Sequence, residues 1–281
     1  MISIVIPARD AATTIGDQLG ALAEQHGIES CEVIVADNGS VDGTAAVVEG
    51  WVDRLPVRVV DASDRRGAAA ARNIGAAASD RDLLLFVDAD DVVLPGWLAA
   101  WKGLDPAVQF ATGPVSSFRA GDAPQAITDD AARAAPVLMS FLPYAYGGNL
   151  AIRRAAWVAS GGFPEDWLVA EDVVLSWRLQ LRGADLTYVH EAGLARRLRP
   201  TAGGVLRQHY RYGRTDPRLY REFRPAGVLA PEVWPTAHTY LGLLARLPVL
   251  FADTQRMRFL HQLGRRSGRL VGSVRERTWY P

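Results

Sequence analysis

Three carboxylates follow an unbroken apolar run and form the stretch of the chain best suited to chemistry. The run covers residues 83–87, and the carboxylates are Asp88, Asp90 and Asp91. Five consecutive apolar residues are typical of a strand that is buried on both faces of a parallel sheet. Ligands of such sheets collect beyond the carboxyl ends of the strands, and carboxylates suit Mg²⁺ and Mn²⁺. The stretch therefore predicts a divalent cation site, with a solvated acidic turn as the alternative.

A second carboxylate pair, Glu171 and Asp172, precedes a helical pattern that ends before Gly183. Acidic side chains in the first turn of a helix are stabilised by its dipole, which is a purely structural interpretation. The same position keeps a carboxylate ionised and therefore available as a general base. Both interpretations are open from the sequence.

Apolar strands and helical patterns alternate through the first hundred residues. This alternation, with polar residues at the strand ends, predicts a mainly parallel, doubly wound α/β sheet flanked by helices. The chain has no Gly-x-Gly-x-x-Gly and no Gly-Lys-Ser/Thr at a strand-to-helix turn, which argues against a dinucleotide site and a P-loop. We predict strands at 2–6, 32–36, 57–60, 83–87 and 110–115, helices at 11–23 and 68–78, and a loop or lid at 120–133.

Charge is distributed unevenly along the 281 residues, although the formal net charge is zero. Residues 1–189 contain 14 basic and 25 acidic side chains, whereas residues 190–281 contain 17 and 6. The acidic N-terminal part suits a cation, and the basic C-terminal part suits phosphates or an anionic membrane surface.

The single cysteine, Cys31, excludes an intrachain disulfide and fits a reducing compartment. The first residues lack the basic start of an export signal, so we expect a cytoplasmic protein, with a peripheral position at the membrane as the alternative.

Seven stretches carry a resemblance to a known family. In order, they are residues 4–10, 35–44, 71–75, 86–91, 148–149, 161–163 and 171–172. Together they resemble the inverting nucleotide-sugar glycosyltransferases of glycosyltransferase family 2, which adopt the GT-A fold. The resemblance covers roughly residues 1–190. It implies metal-dependent transfer of a sugar from a nucleoside-diphosphate sugar, favouring a UDP donor, to an acceptor hydroxyl by single displacement.

The resemblance also implies roles for individual residues. Asp172 matches the catalytic base and Glu171 its supporting neighbour, while Asp90 matches a ligand of a divalent cation, Mn²⁺ or Mg²⁺. The resemblance also implies that Asp88 lies near the ribose of the donor or near a metal-bound water. Many members have an aspartate where this chain has Asn38, and an amide can still accept from a uracil ring nitrogen. The expected nucleotide-sugar-binding residues are Pro7, Ala8, Arg9, Asp37, Asn38, Gly67, Arg72, Asp88, Ala89 and Arg211, and the expected metal ligands are Asp90, Asp88 and His190.

Two of these residues lie beyond the second carboxylate pair. His190 occupies a place where a histidine of the family can contact the metal or the pyrophosphate, although a lone histidine is more often structural. Arg211 lies within Gln208–Tyr212, which resembles the Gln-x-x-Arg-aromatic motif of processive members. A guanidinium group suits diphosphate oxygens, and solvated arginines are the alternative.

The basic C-terminal part is predicted to be mainly helical. Gly264, Gly268 and Gly272 recur at every fourth position of an amphipathic pattern at residues 254–274, which favours close helix packing. Packing against the catalytic domain is preferred over contact with an anionic membrane. We predict a GT-A catalytic domain at 1–195, with a nucleotide-sugar-binding half at 1–100 and an acceptor-side half at 101–195, followed by a helical extension at 196–281.

Two other functions fit parts of the sequence. A phosphotransferase of the haloacid dehalogenase type has a similar Asp-x-Asp after a strand, but it needs a lysine well downstream, and the only lysine, Lys102, is too close in sequence. A non-catalytic sugar-nucleotide-binding module would lack the base carboxylate, whereas Glu171 and Asp172 are present. The acceptor, whether a glycan, a lipid-linked molecule or a small molecule, is not indicated by any motif. No nucleic acid partner is expected.

Overall fold

A computed structural model describes residues 1–124, 134–231, 238, 241–242 and 253–281. These residues form two compact units. Unit 1 contains residues 1–138 and 142–198, and unit 2 contains residues 139–141 and 199–281. Unit 1 ends close to the predicted boundary between residues 195 and 196, and the roles predicted for the two parts stay predictions. Residues 125–133, which include most of the predicted lid, lie outside the described residues.

The main sheet of unit 1 has the strand order β3-β2-β1-β4-β8-β6-β9. β1 to β4 are parallel, β8 is antiparallel to both of its neighbours, and β6 is parallel to β9. A second sheet has the order β5-β10-β7. The strands are β1 Ile2–Ala8, β2 Glu32–Asp37, β3 Val57–Asp61, β4 Leu83–Phe86, β5 Val92–Val93, β6 Phe110–Thr112, β7 Val115–Phe118, β8 Leu150–Arg153, β9 Leu186–Tyr188 and β10 Leu194–Arg197. The predicted, mainly parallel α/β sheet is confirmed.

Helices cover both faces of this sheet, and their small or apolar side chains explain how closely they pack. Ile15, Leu19 and Leu22 of α1 are fully buried against the sheet. Gly75 of α3 lies so close to β1 that an added Cβ would be 2.5 Å from the Val5 side chain. The α-helices described in unit 1 are α1 Ile15–Ala23, α2 Thr44–Glu49, α3 Ala68–Ala77, α4 Trp97–Lys102, α5 Arg154–Ser160 and α6 Glu171–Leu181. Those described in unit 2 are α7 Ala202–Phe223 and α8 Asp253–Arg275.

The single strand predicted at residues 110–115 is wrong. It is divided into β6 and β7, which belong to different sheets. The chain turns at Gly113 and Pro114, where an added Cβ on Gly113 would lie 2.1 Å from the main-chain oxygen of Ala192. Only a glycine allows the two backbones to approach this closely, so the apolar run cannot continue as one strand.

Unit 2 is built on the contact between α7 and α8. Added Cβ atoms on Gly264, Gly268 and Gly272 would lie 2.6, 2.2 and 2.4 Å from main-chain oxygens of α7. The predicted close packing of these glycines is confirmed, and its partner is α7 of the same unit. Asp216 of α7 is buried in this contact, where it accepts hydrogen bonds from Arg265 and Arg269 of α8. A transmembrane helix is not found in the part of the chain that the structure describes.

Candidate active site

A buried arginine joins the end of β4 to the start of α6. Arg72 projects from α3, and its side chain is 4% exposed. Its Nη2 donates to Asp88 Oδ1 at 2.6 Å, and its Nη1 donates to Glu171 Oε1 at 2.7 Å. Burial acts to lower the pKa of Arg72, but the Asp88 and Glu171 carboxylates outweigh it and raise this pKa above its usual range. Three residues that the sequence singles out are therefore brought together.

Asp172 lies beside this group at the beginning of α6. The main chain is left-handed at Ala170, with φ of 66°, which is unusual for a residue with a side chain and fixes the direction of the carboxylates that follow. The Gly147 N–H donates to Asp172 Oδ2 at 2.9 Å, and the Val173 N–H donates to Oδ1 at 2.8 Å. The carboxylate is thus held at a defined position in the first turn of the helix.

The surroundings of Asp172 make it a base suited to neutral pH. Loss of hydration on burial raises the pKa of this carboxyl to about 7, and the negative charge of Glu171 adds to the rise. The Gly147 N–H and the Arg72 guanidinium oppose it. A general base is most effective when its pKa lies near the working pH. Asp172 therefore combines a fixed orientation with a suitable proton affinity.

Tyr146 connects Asp88 to a second aspartate. Its hydroxyl lies 3.3 Å from Asp88 Oδ2 and 3.1 Å from Asp91 Oδ2, to which it donates. Asp91 is 1% exposed and accepts from the Arg197 N–H. Burial raises the pKa of Asp91 well above its usual range, with further contributions from Asp88 and Asp90. Sequence reasoning missed Tyr146 and Gly147; the one signal was their position directly before Gly148 and Asn149.

Four of the expected nucleotide-binding residues, Pro7, Ala8, Arg9 and Asp37, lie at or just after the carboxyl ends of β1 and β2. Pro7 and Ala8 pair with Ala36 and Asp37 in the parallel register, so these strand ends lie side by side. Arg9 follows them, with a half-exposed side chain. The Asp37 carboxylate accepts from the main-chain N–H and the hydroxyl of Ser40. Contact of these residues with a nucleotide stays a prediction.

Asn38 has a different set of partners from the one that a base-binding amide needs. Its Nδ2 donates to the main-chain oxygens of Ala62 and Arg65, and its Oδ1 accepts from the Gly67 N–H at 2.9 Å. Gly67, with φ of 123°, begins α3. The side chain therefore positions the loop before α3, which revises the expectation that its amide is available for a uracil ring.

The predicted set of three metal ligands is not assembled in the described residues. No group of three or more His, Cys, Asp and Glu side chains is arranged there to hold a metal ion. His190 is exposed, and its ring packs edge-on against Tyr188 at 4.9 Å. Both Asp88 oxygens are engaged by Arg72 and Tyr146. The assignment of Asp90, Asp88 and His190 as metal ligands stays a prediction.

Two further residues complete the expected set. Ala89 is buried between Asp88 and Asp90 and packs into the core below the sheet end. Arg211 is exposed on α7 of unit 2, near Gln208, whose Nε2 donates to the Tyr212 hydroxyl at 3.0 Å. Contact of Arg211 with a diphosphate stays a prediction.

The raised pKa of Asp172 predicts how stability depends on pH. The pKa of this carboxyl is about 7 in the folded chain and about 3.9 in the unfolded chain. The free energy of unfolding therefore decreases as the pH rises from about 3.9 to about 7. Replacing Asp172 by asparagine removes this loss. At pH 8 we expect the variant to melt at a higher temperature than the wild type, with a free energy of unfolding that is larger by on the order of 2–4 kcal/mol. At pH 4 the two proteins should melt at nearly the same temperature.

The matched control for this prediction is Asp185→Asn, the same substitution at an exposed position after α6. Its melting temperature should follow that of the wild type at each pH. A pH-independent difference between Asp172→Asn and the wild type would contradict the prediction.

Comparison with solved structures defines the class of fold. A mannosyltransferase from Pyrobaculum calidifontis, solved with GDP-Man and Mn²⁺, aligns with a TM-score of 0.63 at 18% identity and covers 95% of this chain and 86% of its own. S. aureus TarS 1-349, solved with UDP-GlcNAc, aligns with a TM-score of 0.58 at 16% identity and covers 100% and 93%. The main sheet, with its single antiparallel strand β8, is that of the GT-A glycosyltransferases.

Sequence comparison gives the family. The model of "Glycosyl transferase family 2" matches residues 3–101, and that of "Glycosyl transferase family group 2" matches residues 83–265. The chain belongs to the family 2 glycosyltransferases, which confirms the resemblance and removes the haloacid dehalogenase alternative.

Two relatives illustrate how far the similarity extends. The pre-mycofactocin glycosyltransferase of Mycobacterium tuberculosis is 33% identical over 200 residues, which is 66% of this chain and 40% of the relative. The validoxylamine A glucosyltransferase of Streptomyces hygroscopicus is 31% identical over 232 residues, 68% of this chain and 54% of the relative. The chain thus spans about half the length of these relatives.

Proposed function

We propose that this chain transfers a sugar from a nucleoside-diphosphate sugar to an acceptor hydroxyl by a single displacement that inverts the anomeric centre. One observation carries the proposal. Asp172 is a fixed carboxylate with a pKa of about 7, and Arg72 connects the helix that bears it to Asp88 at the end of β4. A base and a donor-side carboxylate are what a direct displacement requires on opposite sides of the reacting sugar.

The proposed donor is linked to UDP. The side-by-side ends of β1 and β2, with Asp37 at their edge, are the place where a ligand of an open α/β sheet binds. Solved neighbours carry UDP-GlcNAc and GDP-Man, so the family fold accommodates both nucleotides. The preference for UDP rests on the resemblance at Asp37, and a GDP donor is the alternative outcome.

The chemical step is assigned to Asp172. It removes the proton from the acceptor hydroxyl as the acceptor oxygen bonds to the anomeric carbon and the bond from that carbon to the diphosphate oxygen breaks. Both Asp172 oxygens already accept a main-chain N–H, and each retains a lone pair for the proton. Glu171 is held away from this task, because its carboxylate accepts from Arg72.

A divalent cation fits this site in part. Asp90 lies in the turn after β4, and the nearby Arg197 side chain donates to the Asp90 main-chain oxygen and to the Asp17 carboxylate. Carboxylate oxygens are the donors that Mn²⁺ and Mg²⁺ prefer, so Asp90, assisted by Asp88, would hold the ion. When bound, such an ion offsets the negative charge of the leaving diphosphate.

Release of nucleoside diphosphate from a panel of UDP- and GDP-sugars, measured with Mn²⁺ and a series of alcohols and sugars as acceptors, tests the proposed function. We expect turnover with at least one UDP-sugar and an increased melting temperature with UDP and Mn²⁺. Neither turnover nor a shift of the melting temperature with any nucleotide would contradict the proposal. A shift without turnover would support a non-catalytic binding module.

The basic C-terminal helix α8 is proposed to contact a cytoplasmic membrane surface. Unit 2 exposes arginines on both α7 and α8, and α8 also exposes Leu270 and Val274, with Trp279 shortly after it. Basic and apolar side chains on one helix suit an anionic membrane. Flotation of the full chain with phosphatidylglycerol vesicles, compared with phosphatidylcholine vesicles, tests this; equal recovery with both would contradict it.

A further inference from the structure

Arg72 occupies an unusual position for a residue expected to bind a nucleotide. Its two terminal nitrogens are taken by carboxylates that are 83 positions apart, Asp88 and Glu171. The Phe163 ring lies 5.2 Å from Cζ and covers the guanidinium group. With a side chain that is 4% exposed, Arg72 has little surface left for a ligand. It therefore acts on other protein groups.

We propose that Arg72 is a positioning residue that joins the donor side of the site to the base side and keeps the negative charge of the base side balanced. This inference rests on the proposed function, because it assigns how the base Asp172 is prepared. Glu171 and Asp172 are consecutive in the first turn of α6, so a cation fixed to Glu171 also acts on Asp172. The other terminal nitrogen of the Arg72 guanidinium donates to Asp88.

The turn at Gly147 provides a second connection of the same kind. Its N–H donates to Asp172, and the preceding Tyr146 hydroxyl contacts Asp88. An added Cβ on Gly147 would lie 3.2 Å from Arg72 Nη2 and 3.2 Å from Asp172 Cβ, so the turn fits between the two side chains. Arg72 and this turn therefore both join Asp88 to the first turn of α6, Arg72 through Glu171 and the turn through Asp172.

The charges around Asp172 predict that removing Arg72 and neutralising Glu171 shift the pKa of Asp172 in opposite directions. Apart from burial, the groups with the largest effects on the pKa of Asp172 are the Glu171 and Arg72 side chains and the N–H groups of Gly147 and Val173. Glu171 raises the pKa of Asp172 and Arg72 lowers it, both in addition to the larger effect of burial. Removing Arg72 should therefore raise this pKa, and neutralising Glu171 should lower it.

The pH dependence of kcat/KM for release of nucleoside diphosphate tests the inference. The wild type should gain activity as pH rises through the pKa of Asp172. In Arg72→Met we expect this rise to move to higher pH by about 1 unit. Arg72→Lys, which keeps the charge, should restore part of the wild-type profile, and Glu171→Gln should move the rise to lower pH.

Arg154→Met is the matched control. Arg154 is also partly buried, but it donates to the main-chain oxygens of Arg81 and Ala76. We expect this variant to keep the wild-type pH profile. If Arg72→Met does not fold, Arg72→Lys should still give a smaller shift to higher pH, and Glu171→Gln a shift to lower pH.

Unchanged profiles in Arg72→Met and Glu171→Gln, or shifts in the same direction for these two variants, would overturn the inference. If the wild type has turnover and Asp172→Asn does not, such a result would remove only the role of Arg72. If the wild type has no turnover with any nucleotide sugar, the proposed function itself fails.

Discussion

Asp172→Asn is expected to reduce sugar transfer by about 10²–10⁴-fold, the usual contribution of a general base. Asparagine has nearly the same shape as aspartate and can still accept from the Gly147 N–H, so the start of α6 should be preserved. It cannot take the proton of the acceptor hydroxyl. Binding of UDP, measured by calorimetry, should stay close to that of the wild type, because Asp172 does not contact the leaving group in the proposed arrangement.

Asp185→Asn serves as the control for this experiment as well, because it makes the same substitution at an exposed site beyond α6. It should retain wild-type transfer. Full turnover in Asp172→Asn would show that the base lies elsewhere in the chain.

Asp90→Asn is expected to remove the increase in nucleotide affinity that Mn²⁺ provides. Asp90 is the carboxylate after β4 that the resemblance assigns to the cation, and an amide is a much weaker ligand for a hard cation. Calorimetric titration of UDP with and without Mn²⁺ should give a ratio of affinities that is about 10–100-fold smaller in the variant. UDP binding without metal should change little.

Asp80→Asn is the matched control, since Asp80 is exposed and precedes β4 at the opposite end of the strand. It should keep the full response to Mn²⁺. If Mn²⁺ still strengthens UDP binding in Asp90→Asn, Asp90 does not belong to the metal site.

The parts of this fold that the sequence predicts are those specified locally. β4 is visible because its residues are apolar without interruption, and α6 is visible from its acidic start and from Gly183 beyond its end. The division of residues 110–118 into two strands was signalled by Gly113 and Pro114, a turn-forming pair that the apolar run obscured. The glycine spacing of α8 predicts close packing, but spacing alone does not identify α7 as the partner.

The candidate site shows the limit of such reasoning more clearly. The ion pair between Arg72 and Glu171 joins residues 99 positions apart, and no local pattern specifies it. Tyr146 reaches Asp88 from a charge-free segment without a recognisable motif. Asn38 matches a family position by residue type, yet its amide is used by main-chain groups of the neighbouring loop. The residue type indicates which hydrogen bonds a side chain can form, whereas tertiary contacts decide which of its donors and acceptors remain available to a ligand.

The anomeric configuration of the first product tests the central claim most directly. The donor and the acceptor that give turnover are incubated with the wild-type protein and Mn²⁺, and ¹H NMR determines the configuration of the anomeric proton in the glycoside that forms. A direct displacement with Asp172 as base predicts that an α-linked UDP-sugar gives a β-configured product. An α-configured first product would contradict the account, since retention requires a different mechanism from one displacement assisted by one base.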